Sequence, residues 1–179
     1  MESSFSSGYT KTGDNRYRED RGLYLEDFDP GLVIEHRPGR TVTLTDNIWN
    51  SLLTLNQHPL HIDSEYAAGT EFGKIVVCGM VTFGIINGMT VGSLSQRCIA
   101  HLGWDKVRFT TPVFVGDTLY AESEVLSRRD SKSRPGQGIV TVQTTGKNQD
   151  GVIVVTFERT ILMPSRQFVH VPSDKGMKS

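Results

Sequence analysis

The chain has 179 residues, 37% of them hydrophobic and 22% charged, with a formal net charge of -1. That length suits one domain with a sizeable core, and so even a charge balance argues against nucleic acid or an anionic membrane as partner. Cys78 and Cys98 have neither CxxC spacing nor histidine-rich company, so a disulfide framework is not expected and the cytoplasm is the expected location.

Residues 1–22 are polar, lack the apolar segment of a secretory signal, and read as a flexible N-terminal arm. A single domain is expected over 23–165, followed by a polar tail over 166–179. Tyr24, Leu25, Phe28, Leu32 and Ile34 supply the first apolar anchors, with Pro30-Gly31 as a turn. Arg40 to Leu44 alternates as a strand does. Thr45 or Asp46 can cap a helix over Ile48, Trp49, Leu52, Leu53 and Leu55, which Pro59 ends. Asp63 or Ser64 can cap a short helix through Tyr66 and Ala68.

The uncharged run from Met80 to about Leu102 reads as the longest helix. It is long enough to span a bilayer, yet its glycines, serines and threonines favour burial within the protein. Gly84, Gly88 and Gly92 share one face, which predicts a smooth surface for a sheet to approach. Beyond Gly103 the pattern turns to strands: Val107–Phe109, Val113–Val115, Leu119–Val125, Ile139–Thr145 and Val152–Met163. A polar loop is expected over 127–138. This order fits an α+β architecture with one antiparallel sheet around a central apolar helix.

Residues 54–80, TLNQHPLHIDSEYAAGTEFGKIVVCGM, concentrate the chemistry. Two histidines, an amide and carboxylates gather around Pro59, and Gly79 then opens the apolar helix. The segment resembles the MaoC-like, or (R)-specific enoyl-CoA hydratase, family. That signature reads Asp-x-Asn-Pro-(Leu/Ile/Val)-His, with Asp two residues on, an Ala-rich stretch, Phe-Gly and His-Gly-Met. Here Asn56, His58, Pro59, Leu60 and His61 stand in register, followed by Asp63, Ala67, Ala68, Phe72-Gly73 and Cys78-Gly79-Met80. VRFTTPVFVGD is similar to the family's later strand pair. The departure is at the acid/base pair: Asn56 occupies the family's Asp position and His58 its Asn position. A branch related to mesaconyl-CoA hydratases is similar in this respect.

The resemblance implies a hot-dog fold, an acyl-CoA thioester as substrate, no cofactor and no metal, and a homodimer or higher homo-oligomer. It implies a catalytic role for His61 as acid and base and for the Gly79 N–H as donor to the thioester oxygen. Asn56 is expected to hold the water, since an amide hydrogen-bonds but does not ionise. His58, Asp63, Cys78 and Met80 are the expected substrate contacts, with a helix cap the simpler role for Asp63. Two other readings compete: a hot-dog thioesterase and a non-catalytic subunit of a heteromeric dehydratase. The first needs a carboxylate from the central helix, and residues 80–102 contain no Asp or Glu.

Overall fold

The computed structural model describes residues 8–168. Residues 1–7 and 169–179, parts of the expected arm and tail, lie outside them. The described part of the arm is a hairpin of β1 (Tyr9–Gly13) and β2 (Arg16–Glu19). Asp20 then pairs with Arg97, and Tyr24 lies under the Arg97 and Arg166 guanidinium groups.

The chain continues through a one-turn 3-10 helix, Leu25–Asp27, into β3 (Val33–Thr41). The strand expected at Arg40–Leu44 therefore lies earlier. Thr43 rather than Thr45 or Asp46 caps α1 (Leu44–Thr54), in a reciprocal box in which Asp46 bonds back to the Thr43 N–H at 2.8 Å. α1 ends at Leu55, in the left-handed region at φ 59°. Pro59 does not terminate it but opens α2 (Pro59–Ile62), where a missing N–H costs nothing. Asp63 caps α3 (Ser64–Ala68).

The apolar run is not one long helix. α4 (Gly79–Met89) stops at Thr90, a π turn covers Val91–Ser95, and the chain is already strand at β4 (Ala100–Phe109). β5 (Thr118–Asp130), β6 (Gln137–Lys147) and β7 (Ile153–Pro164) follow, so the expected polar loop shrinks to 131–136. The five strands pair antiparallel in the order β3-β5-β6-β7-β4 and wrap around α4. This is the hot-dog fold.

Two apolar clusters fill it. One lies along α4: Val77, Val81 and Ile86 against Val42, Leu119, Val155 and Phe157. The other joins Leu23, Leu25 and Phe28 to Leu94, Val125, Val142, Ile161 and Met163. A polar seam runs between them, because Ser123 and Arg159 fall between the two clusters along β5 and β7. His36 donates to or accepts from Ser93 and Ser123 at 2.6 and 2.8 Å, and Ser123 continues to Thr144 at 2.8 Å. Arg159, fully buried, donates to Asn87 Oδ1 at 3.0 Å and Thr90 Oγ1 at 2.9 Å. Both acceptors lie at the C-terminal end of α4, where the helix dipole favours a cation; burial pushes the guanidinium down to about 10.

Gly84, Gly88 and Gly92 do not face the sheet. A methyl group at any of them would meet nothing within 4 Å. The close approach is made from the other side: a Cβ on Gly146 of β6 would lie 2.7 Å from Ile86 Cγ1 and 2.9 Å from Val155 Cγ1. The sheet, not the helix, gives up the side chain.

Candidate active site

α1 positions the site with its polar face. It buries Asn47 and Ser51 and turns Trp49, Leu52, Leu53 and Leu55 outward, 65 to 80% exposed. The apolar spacing in the sequence therefore marks an exposed surface, not a core.

His61 is half-buried in α2, and its Nδ1 lies 2.8 Å from the Val76 carbonyl oxygen. A carbonyl only accepts, so Nδ1 carries the proton and neutral His61 has its free lone pair on Nε2. The Cys78 side chain makes no capping bond to α4, and Gly79 is the first residue of that helix. Among the described residues the Gly79 N–H meets no carbonyl acceptor, as expected of a helix's first turn. His61, Val76, Val77 and Gly79 form one side of a cleft of about 340 Å³, and Phe109, Thr110, Thr111 and Pro112 form the other. The Phe109 ring packs over Gly79, 3.2 Å from where a Cβ would sit. A residue with a free acceptor nitrogen and one with an unbonded backbone N–H thus line one space beside an aromatic wall.

The other expected residues surround this pair without lining the cleft. Asn56 Nδ2 donates to Cys78 Sγ at 3.2 Å, and its Oδ1 accepts from the His58 N–H at 3.3 Å. Both ends of the amide are engaged by protein. His58 caps α2 by accepting from the Leu60 N–H at 3.2 Å, and its ring centroid is 5.8 Å from that of His61. Asp63 Oδ1 accepts from the Glu65 and Tyr66 N–H groups, both at 3.0 Å, which is the simpler of its two expected roles. Cys78 is buried, whereas Met80 is exposed at the start of α4.

Sequence reasoning missed Asn47. It is fully buried, donates to the His61 carbonyl at 2.7 Å and the Val76 carbonyl at 3.4 Å, and accepts from the Cys78 N–H at 2.8 Å. An amide amid an apolar helical pattern was the only available signal. The Phe109–Pro112 wall was also missed, since nothing local marks the end of β4 and the residues after it as facing His61, Val76, Val77 and Gly79 far upstream.

A family profile described as mesaconyl-CoA hydratase matches residues 5–179. The chain belongs to that family. Within it, the mesaconyl-CoA hydratase of Cereibacter sphaeroides is 32% identical over 145 residues, covering 81% of this chain and 42% of that protein. This member of the mesaconyl-CoA hydratase family therefore spans less than half the length of that curated relative. The (R)-specific enoyl-CoA hydratase of Aeromonas caviae is 35% identical over 107 residues, 60% of this chain and 75% of that protein. A solved MaoC-like dehydratase from Rhodospirillum rubrum superposes with a TM-score of 0.72 at 30% identity, over 81% of this chain and 99% of that one.

Proposed function

We propose that the chain is an acyl-CoA hydratase/dehydratase, adding water reversibly across the double bond of a 2-enoyl-CoA, with a branched dicarboxylic acyl group such as mesaconyl. The observation that carries this is that His61 and Gly79 line the same cleft.

His61 Nε2 takes a proton from water as the oxygen attacks C3. Negative charge collects on the thioester oxygen, which accepts from the Gly79 N–H at the positive end of α4. The proton on His61 Nε2 then passes to C2, so one imidazole serves as base and acid. Gly at position 79 lets the thioester lie against the backbone, and Phe109 closes the other side. Asn56 supports this arrangement through Cys78 and His58 rather than by ionising. Water addition puts OH on C3 and H on C2 with no change of redox level, and we propose that the chain does this without a cofactor or metal.

We propose further that the chain works in the cytoplasm as a homodimer or higher homo-oligomer. β4 is an edge strand exposing Leu102 and Phe109, and the outward leucines of α1 offer a second apolar surface beside the site. No helix among the described residues is long and apolar enough to cross a membrane.

The test is turnover of crotonyl-CoA and mesaconyl-CoA, followed as loss of enoyl-thioester absorbance. His61→Ala should cut kcat by about 10²–10⁴. No turnover by the wild type, or turnover that His61→Ala leaves unchanged, would sink the reading. Release of free CoA thiol in its place would favour a thioesterase, and activity appearing only with an added homologous chain would favour a non-catalytic subunit.

A further inference from the structure

Asn47 lies outside the cleft and outside the motif around His61, yet it holds three groups that the site depends on. Its Nδ2 donates to the carbonyl of His61 itself, at 2.7 Å. The same Nδ2 reaches the Val76 carbonyl at 3.4 Å, the oxygen that accepts the hydrogen bond from His61 Nδ1–H. Its Oδ1 accepts from the N–H of Cys78, the residue before Gly79, at 2.8 Å. These groups sit at three separate points of the chain: the base, the carbonyl that orients the base, and the cap of the helix carrying the oxyanion donor. A buried asparagine satisfies whatever backbone groups surround it. Here those groups are the ones whose movement would turn the His61 ring or tilt the Gly79 amide.

We propose that Asn47 is a positioning residue that fixes the His61 tautomer and the placement of His61 against the Gly79 N–H. The donor half of the carboxamide sets the base, and the acceptor half sets the start of α4. The proposal rests on the hydratase reading, but part of it can be tested without turnover. Asn47→Asp keeps the size and the acceptor for the Cys78 N–H while removing both donors. Asn47→Ala removes all three bonds.

The experiment compares wild type and both variants after circular dichroism shows which are folded at the assay temperature. It measures kcat and KM for mesaconyl-CoA and crotonyl-CoA, and the His61 tautomer by ¹⁵N NMR of the ring. The expected result is a fall in kcat of about 10–100-fold with KM changed by less than about threefold, as misplacement of a reacting group produces. The His61 ring should pass from the Nδ1–H form to a mixture, in both variants. Folded variants that keep the wild-type kcat and ring spectrum would overturn the proposal. So would failure of both variants to fold, which would make Asn47 a residue of stability alone. An inactive wild type counts against the hydratase reading only; the ring spectrum then decides Asn47, and an unchanged tautomer overturns it.

Discussion

Lowering the pH should unlock the polar seam through His36. The ring is almost completely buried, with both nitrogens engaged by Ser93 and Ser123. Burial, then the nearby Arg159 and Arg37 cations, push its pKa down from 6.5 to about 4. An unfolded chain takes up this proton near pH 6.5, whereas the folded one resists until about 4. The neutral ring's stabilisation is therefore present above pH 6.5 and is lost as the pH falls toward 4. Linkage over that interval gives a loss of about 2 kcal/mol between pH 7 and 5, and about 3 kcal/mol by pH 4. Urea denaturation of wild type and His36→Gln at pH 7, 6 and 5 isolates this contribution, since every other titrating group is shared. The variant should be the less stable at pH 7, because Ser93 and Ser123 lose their partner, and its stability should fall less steeply with acid. Parallel pH dependences in the two proteins would refute the burial argument.

Two further expectations concern packing and capping. Gly146→Ala should destabilise by about 1–3 kcal/mol, because Ile86 and Val155 are fully buried and have nowhere to move, whereas Gly84→Ala meets open space and should stabilise by about 0.5–1 kcal/mol; thermal melts of the pair decide it. Asp46→Ala should cost about 1 kcal/mol through the lost cap and Arg40 pair. Arg40, with Thr43 adding to it, holds the Asp46 carboxyl down at about 2, so this contribution is present above pH 3.8 and disappears as the pH falls toward 2.

The strands were readable because β5 and β7 each present a buried face and pair throughout their length, which leaves alternation in the sequence. His61 and Gly79 line one cleft, a pairing that the likeness of residues 54–80 to the family signature suggested and that no local pattern dictates. α4 was read too long because an uncharged run reports burial and not backbone conformation; the same lack of charge covers the π turn and the start of β4. The apolar spacing of α1 locates the helix but not its inward face. Periodicity locates an apolar stripe without saying what faces it, and here the inward residues are Ser51 and Asn47, whose amide serves backbone carbonyls. The glycine spacing of α4 misled in the same way, since the matching glycine stands across the gap on β6.

The wide turn at Val91–Ser95 sets where Ser93 points. Each residue of an α-helix advances the side-chain direction by about 100°. Removing one residue between Thr90 and Ser95 would restore ordinary winding, swing the Ser93 hydroxyl away from the imidazole of His36, and leave one ring nitrogen stranded in the interior. The extra residue thus acts like a tooth on a gear, timing the end of the central helix to an edge strand that is distant from it in sequence.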